Sequence, residues 1–196
     1  KELLGNIVNW ANPAYALTHA KFIVFDNQAV CILNLNLTKT AFTKNREYNI
    51  CSENSQDITE ATSIFTADLN RKDYLPTNPN LVVSPINSRG KLTALINSAT
   101  ASLDVEIEVI GDPAMISLIS EKAKTIPVRL IVPEKKSIDN PPVANTLTKF
   151  LKNPYPHAKL IIVDGVRAYT GSINLSTQSL DRNRELGILV SQPNIL

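Results

Sequence analysis

The sequence predicts an α/β protein built from two related halves, and three observations carry that expectation. An eight-residue phrase occurs twice: residues 19–26 read HAKFIVFD and residues 157–164 read HAKLIIVD, an offset of 138 (157 minus 19). The offset persists downstream without a gap, taking Asn36 to Asn174, Leu37 to Leu175 and Asn45-Arg46-Glu47 to Asn183-Arg184-Glu185. Internal repetition sets the architecture before any local reading does. Between the copies, short apolar runs alternate with segments of helical spacing, the pattern of a largely parallel sheet covered by helices.

Each phrase opens a hairpin. Phe22 to Phe25 is a run of β-formers, Asp26-Asn27 is turn chemistry, and Ala29 to Leu35 is the returning strand. The second copy is plainer: Leu160 to Val163, then Asp164-Gly165, then Val166 to Thr170. Asp-Gly between apolar runs is a strong hairpin signal, and Gly171-Ser172 breaks the strand. Residues 36–44 and 174–182 are polar, each a loop or one helical turn. Glu47 to Cys51 and residues 185–190 read as strands.

Ile58, Ala61, Ile64 and Phe65 share one face of a helix over Ile58 to Leu69. Residues 75–80, LPTNPN, form a Pro/Asn linker. It divides the chain into 1–74, the C-terminal part of a first repeat, and 81–196, a second repeat. The second repeat begins with a strand at Leu81 to Val83. A helix follows over Arg89 to Thr100, with Leu92, Leu95, Ile96 and Ala99 on one stripe. Ser102 to Val109 is a strand, Gly111-Asp112-Pro113 opens a helix through Lys124, and Pro127 to Val132 is a strand again. A loop at 139–142 and a short helix over Val143 to Leu151 complete it.

The second phrase is thus preceded by a β-α-β-α-β run at 81–138, and the first phrase has no such run before it. A strand without neighbours leaves backbone groups unpaired and an apolar edge exposed. The first repeat is therefore expected to be N-terminally incomplete. A removed segment of the same protein, or a second chain, would complete its sheet.

With 43% hydrophobic and 19% charged residues, the 196-residue chain has the composition of a globular protein able to bury a sizeable core. A net charge of +2 gives no strong electrostatic case for nucleic acid or a membrane surface, so any basic site must be local. No run approaches the roughly 18 apolar residues of a spanning helix. No secretory signal pattern is visible, and the compartment stays open between bacterial secreted or periplasmic and cytoplasmic. Cys31 and Cys51 are too few for a disulfide framework, and Cys31, in an apolar strand, reads as a buried free thiol. No Cys/His cluster has zinc spacing, and neither metal nor cofactor is expected.

The chemistry sits in the repeated phrase. Side chains at i and i+2 of a strand share a face. His19 therefore projects with Lys21, and His157 with Lys159. An imidazole beside an ammonium is poor architecture unless an anion lies between them, and a phosphate oxygen would supply that anion. Histidine serves as nucleophile or general acid, and lysine as a point charge for phosphate. A single such pair would be read as a surface pair; two copies with matched Asn and Glu point to a site. Glu47 and Glu185 suit the far ring nitrogen of a histidine, where a carboxylate orients the ring. Ser172 and Asn174 follow the second hairpin as neutral donors to phosphate, with Asn34 and Asn36 in the first copy. Leu33-Asn34 stands where Gly171-Ser172 does, so the half-sites differ. Asp26 and Asp164, seven residues after each His, read as turn-forming. Trp10, Tyr15 and Tyr155 either wall the site or pack in the core.

These residues resemble the HKD signature of the phospholipase D superfamily: His-x-Lys-x4-Asp, then Gly-Ser-x-Asn, then Asn-x-Glu. His157, Lys159, Asp164, Gly171-Ser172, Asn174, Asn183 and Glu185 match it completely. His19, Lys21, Asp26, Asn36, Asn45 and Glu47 match it without the Gly-Ser. The likeness extends to bacterial phospholipase D-like and cardiolipin synthase-like proteins. It implies a sandwich of helices around a mixed sheet, with two pseudo-symmetric repeats meeting at one site. It also implies metal-independent cleavage or transfer of phosphodiesters through a phosphohistidine, with phospholipids the first substrate class. In two-motif members the N-terminal histidine is often the nucleophile, which would make it His19 and leave His157 as the acid. A nuclease of the same superfamily and an inactive interaction protein are the alternatives. A nuclease would be expected to carry a longer basic groove than Lys135-Lys136 and Arg182 with Arg184 offer.

Overall fold

The computed structural model describes residues 8–138 and 146–191. Strands β1 (Phe22–Phe25) and β2 (Ala29–Ile32) form the first expected hairpin. The helical turn α1 (Lys39–Thr43) and the two-residue strand β3 (Asn45–Arg46) follow. Then β4 (Ile50–Ser52) pairs with β2 to complete a three-stranded antiparallel sheet. Helix α2 (Ser55–Leu69) starts at Asn54, whose side chain accepts the Gln56 and Asp57 amides.

The alternating run forms as read: β5 (Leu81–Ser84), α3 (Ser88–Asn97), β6 (Leu103–Ile107), α4 (Pro113–Lys122) and β7 (Val128–Val132). Beyond it come β8 (Thr146–Phe150), β9 (Tyr155–Pro156), β10 (Lys159–Val163), β11 (Arg167–Gly171), α5 (Thr177–Asp181) and β12 (Glu185–Val190).

The large sheet has the order β5-β12-β11-β10-β6-β7-β8. Only β6-β7 and β7-β8 are parallel. The sheet is therefore mixed, flanked by helices, rather than largely parallel. Two further expectations are corrected. The helix over Val143 to Leu151 is instead strand β8 from Thr146; residues 143–145 lie outside the described residues. Thr146, Thr148 and Phe150 are β-formers, and the open edge of β7 offers the backbone partners that decide the matter. Cys31 is not a free thiol. It stands directly opposite Cys51 in the β2–β4 ladder and is joined to it by a disulfide. That register cannot be read from two strands separated by an intervening helix.

Both hairpin turns put their two central residues in the left-handed region: Asp26 and Asn27 at φ 49° and 55°, Asp164 and Gly165 at 55° and 66°. This is the primed turn geometry that matches strand twist. Gly171 faces Gly187 across β11–β12, and a Cβ on Gly171 would lie 2.3 Å from the Gly187 Cα. The glycine of the second motif is thus required by backbone approach, which the first copy, with Leu33, does not reproduce.

Two apolar clusters hold the layers. One fills the space between the large sheet and α3 with α4, with Leu92, Ile96, Ile107, Leu130 and Ile161 fully buried. The other joins Val30, Ile32, Ile58 and Ile64 to Leu81, Val83, Leu186 and Ile188, so 1–74 and 81–196 share core across the linker. The linker is itself pinned: buried Asn78 donates to Asp57 and accepts the Asn80 amide. The halves also meet through backbone. Arg46 pairs in parallel with Pro156, and Thr18 bridges Arg184 in parallel; the two contacts are related by the 138-residue offset (156 minus 18, 184 minus 46). Among the described residues no helix is long and apolar enough to cross a membrane.

The disulfide closes a loop with a sequence separation of 20. Chain-entropy arguments assign such a loop about 3 kcal/mol. Replacing Cys31 and Cys51 by serine, or reducing the bond, is expected to lower unfolding free energy by up to about that amount, measured by denaturant titration. An unchanged midpoint would remove the disulfide from the account of stability.

Candidate active site

The interlocked backbones build the site. The amides of His19 and Ala20 donate to the Arg184 carbonyl at 2.8 and 2.9 Å, which pins the entry of β1 beside the start of β12. Glu185 comes next, and its carboxylate meets His19 Nδ1 at 2.7 Å. The reciprocal contact follows from β3 lying beside β9: His157 Nδ1 is 2.9 Å from the Glu47 carboxylate. Each histidine is therefore oriented by the glutamate of the other repeat. A carboxylate on Nδ1 holds the ring with Nε2 free for chemistry.

Both glutamates are held in turn. Asn45 donates to Glu47 at 3.0 Å, and Asn183 to Glu185 at 3.1 Å, which accounts for the Asn of each Asn-x-Glu. Ser179 donates to Glu185 at 2.7 Å. Burial would push the Glu185 carboxyl up; bonds from His19, Ser172 and Ser179 outweigh it and hold the group below its ordinary value.

The lysines bind back onto their own histidines. Lys21 Nζ donates to the His19 carbonyl at 2.6 Å, and Lys159 Nζ to the His157 carbonyl at 2.7 Å. Lys159 is fully buried and also pairs with Glu108 at 2.8 Å. Burial pushes Lys159 down against the pull of Glu108, Glu47 and Glu185. Lys21 is lowered to about 8, by burial first and by the charge of Lys159, with Glu185, Glu47 and Glu108 opposing. Electrostatics thus couple both lysines and carboxylates of both repeats in one cluster.

The remaining residues fall around this cluster. Ser172 is fully buried; its hydroxyl accepts the Leu186 amide at 3.2 Å and supports Glu185, so it acts from behind the carboxylate. Asn174 places its amide against Glu108, and its Oδ1 is buried without a hydrogen-bond partner among the described residues. Asn36 is half-buried in the turn before α1, its carbonyl accepting the Thr38 amide. Asn34, read from sequence as a phosphate donor alongside Asn36, is instead fully buried and knits the repeats, donating to the Gly171 carbonyl and accepting the Tyr48 amide at 2.8 Å. Asp164 accepts the amides of Thr100, Ala101 and Ser102, a turn lock as read. Those bonds hold its carboxyl far below its ordinary value. Asp26 occupies the equivalent turn.

Tyr15 packs its ring on Arg184 at 4.1 Å, a core role, whereas the Tyr155 hydroxyl reaches Glu108 at 3.3 Å beside the site. Trp10 is 75% exposed. Arg184, considered above as a basic nucleic-acid contact, is buried. Glu108 belongs to neither repeated phrase. Its only sequence signal is its place near the end of the strand read over Ser102 to Val109, which the fold lays beside β10.

The family profile described as "Cardiolipin synthase, PLD-like domain" matches residues 2–69 and 92–196. No curated protein sequence matches the chain. Among solved structures, a polyphosphate kinase from Porphyromonas gingivalis superposes with a TM-score of 0.74 at 14% identity, over 95% of this chain and 34% of that one. A phosphatidylserine synthase from Haemophilus influenzae gives a TM-score of 0.60 at 12% identity, over 91% of this chain and 58% of that one. NucT from Helicobacter pylori gives 0.50 at 21% identity, over 58% and 85%. At these identities the likeness is one of fold, and the chain spans about a third of the length of the polyphosphate kinase.

Proposed function

The chain belongs to the phospholipase D superfamily, in the family of the cardiolipin synthase PLD-like domain, and from that premise we propose that it cleaves or transfers phosphodiesters through a phosphohistidine, with phospholipids as the substrate class. The observation that carries this reading is the crossed pairing of His19 with Glu185 and His157 with Glu47 around two lysines. One histidine attacks phosphorus through Nε2, and the P–O bond to the leaving alcohol breaks. The other histidine gives that oxygen its Nε2 proton. It then takes a proton from water or a second alcohol, whose oxygen displaces the first histidine from phosphorus. Lys21 and Lys159 offset the charge that gathers on the phosphoryl oxygens. The glutamates keep both rings aimed throughout.

Of the four basic residues weighed for a nucleic-acid track, burial removes Arg184, whose side chain is only 1% exposed, while Lys135, Lys136 and Arg182 stay at the surface. The disulfide fits an oxidising compartment. By the repeat symmetry, the outer edge of β1 is where a strand equivalent to β6 would add, from a preceding segment of the protein or a second chain. The test of the function is a screen of lipid phosphodiesters and bis-p-nitrophenyl phosphate, with an alkaline quench to preserve phosphohistidine. Turnover with a phosphate-labelled histidine is expected. Turnover without one, at single-turnover resolution, would rule out the double displacement.

Lys21 sets an expected pH limb. A lysine bears charge below its pKa and loses it above. With Lys21 lowered to about 8, kcat/KM is expected to fall as pH rises through about 8, since this parameter reports the free enzyme. Guanidinium does not deprotonate in proteins, so Lys21→Arg, where it retains activity, should lack that limb. A wild-type profile flat to about pH 10, the ordinary range of lysine, would contradict the assignment.

A further inference from the structure

Glu108 stands where a phosphate would be expected to have Lys159 to itself. The β6–β10 register puts Lys159 opposite Ile107, and the Glu108 amide continues the ladder to the Ala158 carbonyl at 3.1 Å. This carries the Glu108 side chain into the site. Its Oε2 accepts from Lys159 Nζ at 2.8 Å and lies 3.7 Å from His157 Nε2, the nitrogen that faces substrate. Its Oε1 accepts the Tyr155 hydroxyl at 3.3 Å. Burial would push this carboxyl up, but Lys159, His157 and Asn174 together hold it below its ordinary value, so it stays ionised at neutral pH.

A phosphoryl group that reaches His157 Nε2 and Lys159 must therefore lie beside a standing negative charge. For this site the charge on the incoming group matters. A phosphodiester carries one negative charge. A phosphomonoester carries close to two above its second ionisation, at about pH 6. In a half-buried site each added charge is repelled more strongly than in water.

We propose that Glu108 is a specificity-determining residue that admits singly charged phosphodiesters beside Lys159 and opposes doubly charged phosphomonoesters and free phosphate. This rests on the phosphodiester reading and adds a consequence to it. Hydrolysis of a diester leaves a monoester, whose extra charge Glu108 would drive out, limiting product inhibition.

The test compares dimethyl phosphate, a monoanion, with methyl phosphate, a dianion at about pH 8, by calorimetry on wild-type protein and on Glu108→Gln, which keeps an oxygen for Lys159. Wild type is expected to bind dimethyl phosphate more tightly than methyl phosphate. Glu108→Gln should tighten methyl phosphate at least about tenfold, or about 1.4 kcal/mol, and dimethyl phosphate less than about threefold; Glu108→Asp should behave as wild type. Equal gains for both ligands, or none, would overturn the role of Glu108 and leave the phosphodiester site standing. A wild-type preference for methyl phosphate overturns it with no variant needed. If wild type binds neither ligand, the phosphodiester reading fails and this inference with it.

Discussion

Replacing His19 or His157 by alanine is expected to lower phosphodiester turnover at least about 100-fold, the low end of what a positioned acid or base supplies. Each ring has Nδ1 anchored on a nearly inaccessible carboxylate, so Nε2 is the nitrogen presented for chemistry. In the proposed mechanism the two histidines serve one reaction, so the double variant should fall little below the worse single one, as residues acting as a unit are not additive. The crossed pairing adds a sharper expectation. Glu185→Gln should reproduce the defect of His19→Ala in kind, and Glu47→Gln that of His157→Ala, although each glutamate lies in the opposite repeat. With a good leaving group such as p-nitrophenolate, loss of the acid histidine should spare the first displacement and slow the second. The phosphohistidine should then accumulate on the nucleophile and identify it by mass spectrometry. Wild-type turnover in either alanine variant would end the two-histidine mechanism.

Arg184→Met is expected to cost about 3 kcal/mol of stability, the lower end for breaking a buried ion pair. In a chain of this size that lowers Tm by about 6–12 °C. Arg184 is 1% exposed, and its guanidinium meets Asp68 at 2.8 Å, the Tyr15 hydroxyl and ring, and the Ser84 carbonyl at 3.4 Å. Burial already pushes the Asp68 carboxyl up, and Arg184 is what opposes that rise. Without the arginine, Asp68 is stranded. The low end is chosen because the Asp68 side chain keeps 20% exposure. Adding Asp68→Asn should restore more than half of the loss, since the uncompensated charge is then gone. Thermal unfolding of the two variants decides the matter. If the double variant is no better than Arg184→Met, the cost lies in lost packing rather than in charge. Because the Arg184 carbonyl holds the His19 and Ala20 amides, activity should fall before the fold does.

The hairpins and the alternating run were legible because their signals are local. Asp-Asn and Asp-Gly favour left-handed turns wherever they sit, and Leu92, Leu95 and Ile96 mark a buried helix face by spacing alone. The 146–150 segment escapes a sequence reading for a complementary reason. Its apolar residues suit a short helix or an edge strand, and only the open edge of β7 selects the strand. Arg46 and Arg184 show the same limit within the repeat. The sequence makes them equivalents, yet the Arg46 side chain is 43% exposed and reaches Glu106, while Arg184 is a buried clamp.

The residue types of the candidate site were likewise readable, since His-x-Lys and Asn-x-Glu recur at one offset. Their partnership was not. That His19 takes Glu185 rather than Glu47 depends on Thr18 bridging Arg184, a contact between residues 166 positions apart (184 minus 18). Glu108 enters the site through the β6–β10 register, and Cys31 finds Cys51 through the β2–β4 register. Turn chemistry and side-chain period act over a few residues and are written in the chain. Strand register, and the charges it brings face to face, exist only once distant backbones have paired.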